Sequence, residues 1–209
     1  MMLQAVAHDV KNKLSELALR LMEYDIEAAG LALEAAQQLS HALLLDNPAQ
    51  IIPQIEARCP IELAEEMAAV YAQLFPDKSV AFDVTSAPET WYYDIELMRL
   101  AISNAMHNAC KHAQQAISMR IFVDNDYLIF EIRNDGEEFP PEILSTQWQL
   151  STPPEHDLRN HHQPIKTGIG LLLSHKIVHA HVNEKSGHTN RGQLMLFNDQ
   201  GAVTRLLVP

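Results

Sequence analysis

Cysteine is scarce in this chain: Cys59 and Cys110 are the only two among 209 residues. They lie far apart and show no metal-ligand spacing. Neither a disulfide framework nor a zinc site is expected to organise the fold, and a reducing, cytoplasmic compartment is the simple expectation. Basic residues are short as well, with 15 Lys and Arg against 27 Asp and Glu, for a formal charge of −12. Binding to a nucleic-acid backbone needs cations, and an anionic membrane repels an acidic surface, so neither partner class is expected. No run of about 18 apolar residues is present, so no membrane span is expected. The opening MMLQAVAHDV has no basic segment followed by a long apolar core, which argues against a signal peptide. Internal repeats and low-complexity tracts are absent too. What remains is 47% hydrophobic residues over 209 positions, enough for one large domain or two small ones with real cores.

Apolar periodicity gives the organisation. Leu3, Ala7, Val10, Leu14, Leu17 and Leu21 recur at alternating steps of four and three, a heptad seam. A break at EYDIE precedes a second helix over 27–45, with Leu31, Ala35, Leu39, Ala42 and Leu45 on one side. Asp46-Asn47-Pro48 cannot continue it. Two helices so connected form an antiparallel hairpin, and dimerisation into a four-helix bundle would hide its remaining apolar surface. The rest is mixed. IELAEEMAAVYAQLF (61–75) reads as a helix and SVAFDVTS as a strand. Residues 94–113 read as a long helix with Asp94 as N-cap. ISMRIFVD and YLIFEIRN form a hairpin around DND, residues 145–167 a long polar loop and 167–182 a helix. QLMLFND and AVTRLLVP form a last hairpin across QG. The fold class expected is α+β: a dimerising helical hairpin (1–50), then an α/β sandwich (51–209) with helices on one face of an antiparallel sheet. The boundary is expected near 46–58.

Four polar stretches interrupt this apolar plan: HDVKNKLS (8–15), AISNAMHNACKHA (101–113), IRNDGEEFPPEI (132–143) and KTGIGLLLSHKIVHAH (166–181). In the first, His8 sits on the flank of the seam beside Asp9. A neutral imidazole nitrogen is a nucleophile near neutral pH, and an adjacent carboxylate can orient it and take its proton. In the second, Asn104 and Asn108 stand one turn apart on one helix face. An amide oxygen is a hard, neutral ligand suited to phosphate-bridged Mg²⁺. Lys111 and His112, a turn further, can meet phosphate oxygens. In the fourth, glycines open a helix, where backbone N–H groups approach anions. His156, His161 and His162 in the polar loop show no ligand spacing, and a solvated loop is expected there.

In this order and spacing, the four stretches resemble the H-, N-, G1- and G2-boxes of sensor histidine kinases, over nearly the whole chain. The resemblance implies an ATP-dependent kinase that phosphorylates its own His8 and passes the group to an aspartate on a response-regulator receiver domain. Asp9 would assist His8. Asn12 would occupy the place where an amide positions water for dephosphorylating the partner. Asn108 would be the Mg²⁺ ligand. Asn104 stands where related ATP hydrolases carry a water-activating glutamate, which favours transfer to a side chain over hydrolysis. The remaining ATP contacts would come from Asn104, Lys111, His112, Asn134, Asp135, Gly136, Lys166, Thr167, Gly168, Gly170 and Leu171, under a lid at about 145–167. The chain also departs from the family. Asn134 replaces the acid that accepts a hydrogen bond from the adenine amino group, and its side-chain oxygen can accept that bond too. Glu138 replaces a glycine, Lys166 replaces another, Lys13 replaces a common proline, and the lid lacks its usual phenylalanine, with Trp148 the nearest aromatic. The alternative implied by these departures is a histidine phosphotransferase whose kinase-like domain binds ATP weakly or not at all. A homodimer is implied either way. No sensing segment precedes His8, so the chain is either a piece of a longer kinase or a small cytoplasmic one controlled by a separate sensor protein.

Overall fold

The computed structural model describes residues 10, 13–14, 16–18, 20–21, 24–46, 51–145, 168–185 and 188–209. His8, Asp9, Asn12, Lys166, Thr167 and most of the expected lid lie outside them. The described residues near the start are helical, and the chain turns at 21–25, where Leu21 O accepts from the N–H groups of Tyr24 and Asp25. Asp25 then caps helix α1 (Ile26–Asp46), its Oδ1 accepting from Ala28 N at 3.0 Å. Ala29, Ala32 and Ala36 are buried, because alanines let a neighbouring helix approach closely. Leu31 remains 64% exposed. Helix α1 lies against α2 (Pro60–Leu74) and α5 (Gly168–Ala180).

The remaining helices are α3 (Ile95–His112) and the short α4 (Pro141–Leu144). The strands are β1 (Glu56–Arg58), β2 (Ser79–Ser86), β3 (Trp91–Tyr93), β4 (Ala116–Asp124), β5 (Tyr127–Asn134), β6 (Val182–Lys185), β7 (His188–Arg191), β8 (Gln193–Asn198) and β9 (Ala202–Val208). A five-stranded sheet runs β2-β4-β5-β9-β8, and β1 with β3 and β6 with β7 form two small antiparallel pairs. The β4–β5 hairpin closes through Asn125 and Asp126, both in the left-handed region, the conformation that matches the twist of its strands. One expectation is corrected: the sheet is mixed rather than antiparallel, since β2 runs parallel to β4. Helix α3 lies between these strands in the chain, and a helical crossover returns the chain in the same direction. The helices cover one face. Ile117, Met119, Ile121, Leu128, Phe130, Ile132 and Leu206 pack there with Leu63, Tyr71, Met98, Ile102 and Met106.

One polar junction fixes the start of α3. Asp94 caps it, Oδ1 accepting from Leu97 N at 3.0 Å, while Oδ2 accepts from Gln54 N at 2.7 Å. The N–H of Asp94 donates to Nε2 of His181 at 3.1 Å. Nε2 is therefore unprotonated, and Nδ1 carries the proton that it donates to Ile177 O at 2.8 Å. His181 is fully buried, and burial holds its pKa below the ordinary histidine value. In the unfolded chain it titrates near 6.5. The stability contributed by neutral His181 is therefore present above that value and lost as pH falls through its lower folded pKa. Thermal unfolding between pH 7.5 and 5 tests this. Tm should fall with acidification, and His181→Gln, which keeps an acceptor and a donor, should flatten part of the slope. Identical slopes for the two proteins would count against this role.

Candidate active site

The motif residues lie along α3, where it meets α5 and, at its far end, the loop after β5. Asn104 is buried and points its Nδ2 at Gly170 O, 3.4 Å away in the first turn of α5. Ser174 Oγ reinforces the junction, donating to Gly170 O at 3.0 Å and lying 3.3 Å from Ala101 O. Asn108 is half-buried one turn along and makes no hydrogen bond among the described residues. Its amide is thus available for a ligand. The N-terminus of α5 begins at Gly168, where unpaired backbone N–H groups favour an anion. Leu171 lies in the hydrophobic core, where it anchors that helix.

The loop after β5 is tied to the far end of α3. Asp135 accepts from Gln114 N and Gln115 N at 2.9 and 3.0 Å, and these backbone donors, Gln115 foremost, hold its carboxyl below the usual range. Glu137 N donates to His112 O at 3.0 Å. Gly136 passes so close that a Cβ there would stand 1.9 Å from His112 O, which accounts for the glycine on steric grounds. His112 Nδ1 meets Glu137 Oε2 at 2.9 Å. Lys78 Nζ donates to Gln114 O at 3.0 Å. Asn134 is buried, and its Oδ1 accepts from Gly136 N at 3.1 Å and Ala202 N at 3.2 Å. Glu138 is exposed, its Oε2 3.5 Å from Asn198 Nδ2.

Lys111 reaches back to α1, where Glu34 Oε1 lies 3.5 Å from its Nζ. His107 lies against Phe75 with its Nε2 buried and unpaired, so burial first, and Lys111 second, push its pKa down. Among the described residues no cluster of three or more His, Cys, Asp or Glu could hold a metal. A divalent ion at Asn108 would therefore take most of its ligands from phosphate and water. The structure thus places Asn104 beside Gly170 of α5, Lys111 beside Glu34 of α1, and His112 beside Gly136 and Glu137 at the far end of α3. Sequence reasoning missed Glu34, Glu137 and the Gly201–Ala202 turn. Only the last left a signal: Gly201 was legible as a hairpin turn, though not as a neighbour of Asn134.

The sequence profile of the histidine kinase-, DNA gyrase B- and HSP90-like ATPases matches residues 93–208. No curated protein matches the chain significantly. Among solved structures, the histidine kinase AdeS of Acinetobacter baumannii is similar at TM-score 0.60 and 16% identity, over 96% of this chain and 95% of its own. The catalytic domain of the histidine kinase ThkA, in a nucleotide-free form, is similar at TM-score 0.57 and 14% identity, over 75% of this chain and 97% of its own. Full-length ShkA in complex with AMPPNP is similar at TM-score 0.65 and 15% identity, over 100% of this chain and 45% of its own. At these identities the likeness is one of fold. Among the described residues no helix is long and apolar enough to cross a membrane.

Gly136→Ala should destabilise the protein by about 1–3 kcal/mol, because the new methyl meets backbone that cannot swing away. Glu138→Gly, at an exposed position, should change stability little. Thermal melts of the two variants test the assignment, and a Gly136→Ala Tm equal to wild type would refute the packing argument.

Proposed function

The chain belongs to the histidine kinase-, DNA gyrase B- and HSP90-like ATPase family, and from that premise we propose that it is a protein histidine kinase. MgATP is the phosphoryl donor and His8 the acceptor. The observation that carries this reading is Asn104 beside the first turn of α5, with Asn108 one turn along the same helix and the loop of Asn134 to Gly136 tied to that helix's far end. Asn108 holds Mg²⁺, which neutralises phosphate charge when bound. Backbone N–H groups at Gly168 and Gly170, with Lys166, Thr167, Lys111 and His112, receive the phosphates. Asn104 is an amide and cannot act as a base, which favours transfer over hydrolysis. A nitrogen of neutral His8 forms the new N–P bond, the bond from the γ-phosphorus to the bridging oxygen breaks, ADP leaves, and Asp9 takes the imidazole proton. The phosphoryl group then passes to an aspartate of a response-regulator receiver domain, and Asn12 positions water for a separate step, hydrolysis of that phospho-aspartate to aspartate and inorganic phosphate.

Residues 1–50 serve dimerisation and phosphotransfer, and 51–209 bind nucleotide. Val10, Leu17 and Leu31 are exposed in the single chain, which supports a second copy along the hairpin. The reading places the protein in the cytoplasm, under the control of a separate sensor protein if no sensing segment belongs to the same chain.

A second reading, a histidine phosphotransferase with a degenerate kinase-like domain, is favoured by Glu138 and by an Asn134 oxygen already engaged by two backbone donors. Millimolar γ-labelled ATP with Mg²⁺ separates the two. Acid-labile, alkali-stable label on the protein, lost in His8→Ala and reduced at least about tenfold in Asn108→Ala, is the expected result. Absence of label, with His8 accepting phosphate from a phosphorylated receiver, would establish the phosphotransferase instead.

A further inference from the structure

Helix α1 seats on its neighbours through a face of small side chains. Ala29, Ala32 and Ala36, spaced by three and four, are buried, and α1 lies against α2 and α5. Beside this face Glu34 reaches a third helix, its Oε1 standing 3.5 Å from Lys111 Nζ on α3. His107, one turn earlier on α3, lies against Phe75 with its Nε2 buried. Burial lowers its pKa first, Lys111 lowers it further and Glu34 acts the other way, so both members of the pair are felt at that turn. An ammonium is a compact charge on a flexible stem and can change partners. While Glu34 engages it, Lys111 is partly neutralised, and the carboxylate repels any second anion that approaches. A phosphate that takes Lys111 must therefore break this pair or accept a like charge close by.

We propose that Glu34 is an autoinhibitory latch on Lys111: with α1 seated the acid holds the cation, so the seating of α1 and the binding of nucleotide phosphates oppose each other. The proposal rests on the reading above, in which Lys111 receives phosphates, and adds how α1 regulates that site. The alanine face holds the helix in place, and the ion pair makes the seat sensitive to anions. The opposition is reciprocal. Whatever draws Glu34 away from α3, such as a partner gripping α1, strengthens nucleotide binding, and nucleotide loosens the seat by the same factor. Glu34 is 39% and Lys111 51% exposed, and water weakens such a pair. The factor is therefore about two- to fivefold, a graded control rather than an on–off switch.

Isothermal titration of the full chain with MgADP, at a salt concentration of about 0.15 M to screen distant charges, tests this directly. Glu34→Gln should bind about two- to fivefold more tightly than wild type. Glu27→Gln, which removes an exposed charge from the first turn of the same helix, should bind like wild type. Lys111→Gln should bind more weakly, and adding Glu34→Gln to it should bring no gain, because the latch has lost its cation. Equal or weaker binding by Glu34→Gln, a matching gain in Glu27→Gln, undiminished binding by Lys111→Gln, or the same gain on the Lys111→Gln background overturns the latch and leaves the nucleotide site standing. If neither wild type nor Glu34→Gln binds MgADP at millimolar concentration, the nucleotide reading itself fails and the latch falls with it.

Discussion

Helix α3 carries Asn104 and Asn108, and it is clamped at both ends by polar contacts that span the chain. At its start Asp94 accepts from Leu97 and Gln54 and donates to the buried ring of His181. At its end Asp135 and Glu137 hold the backbone of residues 112–115, with Gly136 in direct backbone contact. Each contact is individually modest, but all of them act on one rigid element. Releasing either end would let the amide pair drift relative to the first turn of α5. Phosphoryl transfer depends on positioning, so the clamp comes before any chemistry assigned to the site.

Local features were legible in the sequence. The Asp94 cap, the turn at Asn125-Asp126 and the β-rich run Tyr127–Asn134 all depend on neighbours a few positions away. The structure places each where the pattern puts it. The four-residue spacing of Asn104 and Asn108 likewise determined that they share a helix face. Contacts between distant segments were not legible. The parallel pairing of β2 with β4 leaves no mark in SVAFDVTS, because alternation reports burial and not strand direction. Strands of three or four residues, such as Glu56–Arg58 and Trp91–Tyr93, are too short to show a period. The resemblance implied a base contact at Asn134, but the bond to its side-chain oxygen from Ala202 N, distant in sequence, emerges only in the structure.

Helix α1 and helices α2 and α5 also meet in the single chain. Ala29, Ala32 and Ala36 are buried, α1 lies against α2 and α5, and Glu34 stands beside Lys111, one turn from Asn108. The ion pair is loose and half exposed, so it contributes little energy. Its importance is one of place: an acid on α1 stands beside a cation one turn from Asn108. Leu31 on the other side of the same helix stays open to solvent, leaving α1 one small-residue face against its own chain and one larger apolar face outward.

The central claim is that α3, the first turn of α5 and the loop of Asn134 to Gly136 form one purine-nucleotide site. A crystal structure of the full chain with Mg²⁺ and a non-hydrolysable ATP analogue is the most direct measurement of it. The account predicts the metal between the phosphates and Asn108 Oδ1, the phosphates at the N-terminus of α5, and the base beside Asn134. A nucleotide bound elsewhere, or one whose base lies away from Asn134 with Asn108 free of the metal, would contradict it.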